Sequence, residues 1–218
     1  MQLSIEVARE QVAAASRRLA AERLVHGGAG NVSVRAGERV AVTATGALLR
    51  DVQAGDVAVV DLDGRPLEAD GPAPTSELAM HLGVYRSRDA RAVVHCHAPI
   101  ATALSVVLDE LPLIHYELAL LGGTIRVAPY ATFGTEALAG HVLAALEDRS
   151  AALMASHGVV TLGSTADEAV ERALVLEFCC EVYWRAAVVG APRLLSQQAL
   201  DAAAAAFKGQ WSIEDMSG

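Results

Sequence analysis

The stretch Arg91-Ala-Val-Val-His-Cys-His-Ala-Pro99 constrains this chain more than any other. An apolar run leads straight into two histidines one residue apart, and a proline follows. On a β-strand, side chains at i and i+2 leave the same face, with Cα atoms roughly 6.5–7 Å apart. From there two imidazoles can converge on one ion about 2.0–2.1 Å from each nitrogen. The spacing therefore predicts that His95 and His97 hold a divalent metal, zinc first. The plain alternative is two half-exposed histidines at a strand end, and the rest of the chain must decide.

A length of 218 residues suits one domain, 1–218. With 53 % hydrophobic residues the chain can build a large core. Mean hydropathy is positive, yet no apolar run reaches the ~18–20 residues that span a bilayer. The most apolar long segment, Ala169 to Val189, is interrupted by Glu171, Arg172, Glu177, Glu181 and Arg185 and reads as a long buried helix. The first residues show no basic region followed by an apolar one, so no secretory leader is expected. A net charge of −9 argues against nucleic acid and anionic membranes as partners. It leaves room for an anionic substrate, because a metal and backbone amides make a site locally positive. Three cysteines, Cys96, Cys179 and Cys180, give no disulfide framework and point to a reducing cytoplasm. Cys96, lying between the histidines, faces the other side of the strand and reads as a small buried hydrophobe, as do Cys179 and Cys180.

Strands and helices are mixed along the whole length. Ser4 caps a helix running to about His26, and Gly27 and Gly28 stop it. Gly30 to Arg35 and Arg39 to Thr43 form a hairpin, and Val57 to Leu62 is a further strand. Thr75-Ser76-Glu77 opens a helix to about Arg86. A helix starts at Pro99, and residues 113–121 read as helical. Thr124 to Val127, Ala151 to Ala155 and Val159 to Leu162 are strands. Thr135 starts a helix to about Leu146, and Thr165 caps the long one to about Val189. A last helix covers Ser196 to Phe207, and the polar tail 209–218 is expected to be mobile. The pattern predicts an α/β domain in three layers, a central and mostly antiparallel sheet between helices.

His157 is the natural third ligand. It sits after a buried strand, in the turn Ser156-His157-Gly158, whose glycine lets backbone and imidazole approach an ion. Three histidines with one open position is a catalytic zinc arrangement. His26, His81, His115 and His141 show no ligand spacing and read as surface or core residues. Glu77 reads either as an ordinary acidic residue complementing a helix dipole, or as a general base and resting-state metal ligand. The same helix start, with Thr75 and Ser76, offers amides and hydroxyls for a phosphate. Gly27-Gly-Ala-Gly-Asn31 and Thr43-Ala-Thr-Gly46 offer more, although each could be only a turn.

Taken in order, Gly30-Asn-Val-Ser-Val-Arg35, Thr43-Ala-Thr-Gly46, Thr75-Ser-Glu77, His95-Cys-His97, Ile114-His-Tyr116, Ala128-Pro-Tyr-Ala-Thr-Phe-Gly134 and Ser156-His-Gly158 resemble the class II aldolase/adducin family over roughly residues 4–207. The resemblance implies that His95, His97 and His157 bind zinc, or another divalent metal, with Glu77 completing the set. It implies that Asn31, Thr45, Gly46, Thr75 and Ser76 hold a substrate phosphate, and that Tyr116 moves a proton at the aldehyde oxygen. The implied reaction is zinc-dependent cleavage of a ketose 1-phosphate, of the fuculose 1-phosphate kind, to dihydroxyacetone phosphate and a small aldehyde. The metal would act as a Lewis acid on the enediolate charge and Glu77 would move a proton at the adjacent carbon. A lysine Schiff base is not needed, which agrees with the lone lysine, Lys208, lying far from every motif. The resemblance also implies a homotetramer with active sites at subunit interfaces. One departure is visible: fuculose-phosphate members carry a second tyrosine in the tail, and here the last tyrosine is Tyr183. That leaves smaller substrates such as 5-deoxyribulose 1-phosphate open. Relatives that dehydrate or epimerise sugar phosphates on the same site, and the non-enzymatic adducin scaffold, are the alternatives. The intact His95-Cys-His97 weighs against the epimerase, and the retained histidines with Glu77 weigh against the scaffold.

Overall fold

The central strands are apolar on both sides because helices cover both faces of the sheet. The computed structural model describes residues 3–214, with side chains to 208. Eight strands form one sheet: β1 (Asn31–Ala36), β2 (Arg39–Thr43), β3 (Val57–Asp61), β4 (Ala92–Cys96), β5 (Glu110–Leu111), β6 (Ile125–Ala128), β7 (Ala151–Met154) and β8 (Gly158–Gly163). Their order is β3-β2-β1-β4-β8-β7-β6-β5. Every pairing is antiparallel except β6 with β7. Six helices flank it: α1 (Ile5–Ala21), α2 (Leu78–Ser87), α3 (Pro99–Ser105), α4 (Glu136–Ala145), α5 (Ala166–Val189) and α6 (Gln197–Glu214).

Two cores result, one on each face of the sheet. Val32, Val34, Val94, Cys96, Leu153 and Val159 pack with residues of α1, α3 and α5. Val40, Val42, Val93, Ala152, Met154 and Val160 pack with α2 and α4. Along β4 the alternation sends Val94 and Cys96 to the first core and Val93 to the second, as the period of two requires. This is the three-layer α/β domain with a mostly antiparallel sheet that the sequence predicts. Among the described residues no helix is long and apolar enough to cross a membrane.

Several boundaries differ from expectation. α1 ends at Ala21, five residues before His26, and Arg23 then takes a positive φ of 62°. The chain leaves the helix there so that Leu24 can bury, only 3 % exposed, against the first core. The apolar pattern continued past the true stop. Thr75 and Ser76 precede α2, and Glu77 is its N-cap residue, without a side-chain capping bond. The 113–121 stretch is helical only from Tyr116 to Leu121, as a tighter 3-10 helix, and β5 was not foreseen. α5 begins behind the Thr165 cap as expected and runs to Val189. It is not buried throughout: Trp184, Val188 and Val189 are exposed on its last turns. α6 continues to Glu214, beyond Phe207 and into the segment expected to be mobile. The remainder of that tail, 215–218, lies outside the described residues.

α3 follows directly on the His-x-His strand, and its orientation is fixed from across the layer. Its first-turn amides of Ile100 and Ala101 donate to the two carboxylate oxygens of Glu177 on α5, both at 2.8 Å. Burial raises that carboxyl above its ordinary value, and the two amide bonds oppose the shift. Hydrogen bonds to a charged group contribute about 1.5–3 kcal/mol. Glu177→Ala is therefore expected to lower stability by about 2 kcal/mol. The check is a lower urea midpoint with an unchanged slope.

Candidate metal centre

Three of the four groups expected at the metal come from one end of the β4–β8 ladder. β4 and β8 pair with His95 opposite Val160 and Cys96 opposite Val159. That register brings the β7–β8 turn, with Ser156 at φ 55° and His157 after it, beside the end of β4. His97 lies one residue past the strand. Gly158 has to be glycine: a Cβ there would stand 2.5 Å from the Cys96 carbonyl oxygen and 3.0 Å from Cδ2 of His97. The ligand atoms of His95, His97 and His157 lie within 4.8 Å of one another. The three rings meet edge to face, with centroids 4.8–5.1 Å apart.

The hydrogen bonds decide which nitrogens face inward. Nδ1 of His95 is 2.9 Å from the Val159 carbonyl. A carbonyl only accepts, so Nδ1 carries a proton. Nε2 of His95 then points at Nε2 of His97, 3.1 Å away, and at Oε2 of Glu77, also 3.1 Å away. Two lone pairs and a carboxylate oxygen at these distances need a positive centre between them, either a proton on His95 or a metal ion. Tetrahedral zinc with bonds of about 2.0–2.1 Å sets ligand nitrogens about 3.3–3.4 Å apart, close to the 3.1 Å between His95 and His97.

Glu77 enters from the opposite layer, at the start of α2, and is 7 % exposed. Its Oε2 accepts from the Asn31 amide at 2.9 Å. Its Oε1 is 3.6 Å from Nε2 of His157 and is buried without a hydrogen-bond partner. Such an orphaned oxygen costs about 1–3 kcal/mol or more when charged, so it is an atom kept for something other than stability. Burial alone would raise the Glu77 carboxyl. Pairing with His95, the bonds from His95 and Asn31, and nearby His157 outweigh burial and hold it well below the carboxylate range. Burial and the neighbouring His95 and His157 push His97 down to about 4, with Glu77 opposing them. Burial likewise lowers His157. His97 and His157 disfavoured as cations, beside a carboxyl disfavoured as an acid, lean toward the protonation states that metal binding requires. The donor set fits a divalent cation.

The expected phosphate residues lie next to this centre on two paired segments. Thr75 N–H donates to the Thr43 carbonyl and Thr45 N–H to the Ala73 carbonyl, both at 3.0 Å. Thr45, Gly46 and Ser76 are exposed, and Gly46 has a φ of 71°. Thr75 is buried, and its hydroxyl accepts from Glu77 N–H at 3.3 Å. Leu78 N–H is used by the Thr75 carbonyl. Part of the amide cradle expected from the helix start is thus engaged within the protein. Asn31 is 4 % exposed, and its amide is held at both ends, by Glu77 and by His81. Tyr116 is not part of this grouping. Among the described residues its contacts are Glu117 through the hydroxyl, and His115 and Phe207 through the ring.

Two histidines that spacing left aside do belong to the region. His26 is exposed, with its ring centroid 5.8 Å from that of His97. His81 is fully buried and hydrogen-bonds Asn31 at 2.5 Å. A signal for His81 exists in the sequence: Glu77, His81 and Tyr85 recur every four residues and so form one helical stripe. Asn31 and Ser33, two apart on a strand, form the matching polar face.

Comparison with known proteins places the chain. Residues 10–184 match the family described as Class II Aldolase and Adducin N-terminal domain. The chain is 38 % identical to 5-methylthioribulose-1-phosphate/5-deoxyribulose-1-phosphate aldolase of Rhodospirillum rubrum, over 89 % of this chain and 88 % of that one. It is 35 % identical to 5-deoxy-D-ribulose 1-phosphate aldolase of Bacillus thuringiensis, over 92 % and 95 %. It is 39 % identical to L-fuculose phosphate aldolase of Escherichia coli K12, over 73 % and 74 %. Among solved structures an L-fuculose 1-phosphate aldolase superposes with a TM-score of 0.90 at 31 % identity, covering 95 % of this chain and 98 % of that one. By sequence and by fold, the chain belongs to the class II aldolase and adducin family.

Proposed function

We propose that this protein is a metal-dependent aldolase that cleaves a ketose 1-phosphate to dihydroxyacetone phosphate and a small aldehyde. The observation that carries the reading is the grouping of three imidazole nitrogens, two of them against a buried carboxylate with a free oxygen. Two features favour a short 5-deoxypentulose 1-phosphate over fuculose 1-phosphate. The relatives named for 5-deoxyribulose 1-phosphate match about nine-tenths of the chain, against 73 % for the fuculose-phosphate relative. The tail also lacks a tyrosine. Cleavage of such a pentulose between C3 and C4 releases acetaldehyde as the second product.

His95, His97 and His157 would hold the metal, zinc by its preference for three imidazoles and an open position, with Glu77 as the further donor in the resting protein. When bound, the cation would supply Lewis acidity for negative charge that builds on substrate oxygen as the carbon–carbon bond breaks. Glu77, ionised at rest, would relay the proton that the C4 hydroxyl gives up to the carbon left behind, through an oxygen free of other hydrogen bonds, so the cleavage is proton-neutral overall. The burial of Glu77 keeps water from competing. Thr45, Gly46, Thr75 and Ser76 bind the phosphate, with Asn31 at the border of that site. Tyr116 handles the proton on the oxygen that becomes the aldehyde. In its own chain Tyr116 is half-exposed and engaged away from the histidines, so it serves the metal centre of a neighbouring subunit. A homotetramer with interfacial sites meets that need, and the exposed apolar end of α5 gives it a surface to bury. The three free cysteines suit the cytoplasm.

The direct test is a retro-aldol screen of ketose 1-phosphates with detection of dihydroxyacetone phosphate. Cleavage of 5-deoxyribulose 1-phosphate that chelation abolishes and zinc restores is the expected result. A dehydrated product in place of dihydroxyacetone phosphate would reject the aldolase. Glu77→Gln is expected to retain most of the metal and lose cleavage by about 10²–10⁴-fold, the usual contribution of a proton-transfer group. Metal analysis and turnover on one sample check both.

The interfacial assignment has its own test. Glu77→Gln and Tyr116→Phe are each expected to be nearly inactive alone. Mixed oligomers should recover about one quarter of wild-type turnover, since half the sites keep Glu77 and half of those face an intact Tyr116. Absence of recovery in verified hybrids would put both residues in one subunit's site.

A further inference from the structure

Behind the metal centre runs a line of five side chains buried between α2 and β1. Glu77, His81 and Tyr85 lie along one stripe of the helix, and Asn31 and Ser33 lie along one face of the strand. Their exposures are 7, 0, 2, 4 and 0 % in that order. Tyr85 hydroxyl and Ser33 hydroxyl are 2.7 Å apart. Ser33 hydroxyl and Nδ1 of His81 are 2.7 Å apart. Nε2 of His81 is 2.5 Å from Oδ1 of Asn31, and Nδ2 of Asn31 is 2.9 Å from Oε2 of Glu77.

The chemistry of each atom fixes the direction of every bond. An ionised carboxylate only accepts, so the Asn31 amide turns its N–H to Glu77 and its carbonyl to His81. That carbonyl also only accepts, so Nε2 of His81 carries the proton. Burial, partly opposed by the charge of Glu77, holds His81 down at about 3, so the ring is neutral and has one N–H. Nδ1 is then a bare lone pair and accepts from Ser33, which in turn accepts from Tyr85. Reading from Tyr85 to Glu77, each group donates to the next. Burial raises the Tyr85 hydroxyl well above its ordinary range, so it stays a donor. With Glu77 charged and His81 neutral, no other orientation satisfies all five groups.

We infer that His81 is a positioning residue of the enzyme. Through Asn31 it anchors Oε2 of Glu77 and leaves Oε1 as the oxygen that takes part in the reaction. The inference rests on Glu77 being the proton-transfer group proposed above. A carboxylate with two free oxygens would rotate between them. The oriented chain makes the two oxygens inequivalent, one held by the sheet and the other facing His157. The donor that matters is the single N–H on Nε2, not the charge or the bulk of the ring.

Two measurements on the full-length protein test this. In metal-free protein labelled with ¹⁵N-histidine, His81 should show the Nε2–H tautomer, with Nδ1 unprotonated, at neutral pH. The Nδ1–H tautomer would overturn the inference whatever the catalytic activity. The second compares His81→Leu, which removes the donor, with His81→Gln, whose amide can return an N–H to Asn31. Removing a group of this kind typically costs about 10–100-fold in activity or metal affinity. For His81→Leu we expect that loss in kcat with little change in KM, and an altered visible spectrum of the cobalt(II)-substituted protein. His81→Gln should restore both. Equal behaviour of the two variants, or wild-type kcat in His81→Leu, would refute the role. Should His81→Leu not fold, Ser33→Ala removes only the bond at Nδ1; the Asn31 carbonyl should still hold the ring as Nε2–H, and a shift to the Nδ1–H tautomer would count against the chain. If the wild type cleaves no ketose phosphate, the proposed activity fails, while tautomer and cobalt spectrum still judge the anchoring of Glu77.

Discussion

The pairing of β4 with β8 is the constraint on which the rest depends. It lays Cys96 against Val159 and His95 against Val160. It also supplies the Val159 carbonyl that holds the His95 ring. One ladder therefore sets ligand position, ring tautomer and the approach of the His157 turn. Gly158 is where these demands meet, since any side chain there would strike the Cys96 backbone. Helices on both faces keep the ladder dry, so its hydrogen bonds compete little with water.

The second element is the seam between α2 and β1. An interior of this size is otherwise apolar on that face of the sheet. A row of polar groups there is tolerable only when each is satisfied. All are, except Oε1 of Glu77. The polar seam thus ends in one unmet demand placed against the three histidines, and the site gains its reactivity at the edge of an otherwise closed network. The two layers contribute differently: the sheet side brings the three histidines, and the helix brings the carboxylate.

Much of this was legible in the chain itself. His95-Cys-His97 followed by Pro99 announced a strand end and a helix start, because strand parity and proline chemistry are local. Thr165 and Thr135 marked helix starts for the same reason. The end of α1 was not legible, since nothing local says that Arg23 would take a positive φ to bury Leu24. The place of His81 in the buried polar row was missed for a different cause. Its spacing to Glu77 and Tyr85 is visible, but which strand that stripe would face depends on β1 lying next to β4, a long-range pairing. Tyr116 shows the same limit from the other side. Its residue type fits the chemistry, but a single chain engages it elsewhere.

Cys96 stands between the two strand histidines yet belongs to the opposite core, wholly buried, with burial pushing its thiol up to about 12. Strand alternation alone keeps this sulfur from the three imidazoles. Loss or gain of a single residue early in β4 would turn the strand over. A thiol would then stand where imidazoles converge, inviting softer ions such as copper(I) and exposing the centre to oxidants. The length of that short strand is thereby as firmly fixed as the identity of the residues that bind.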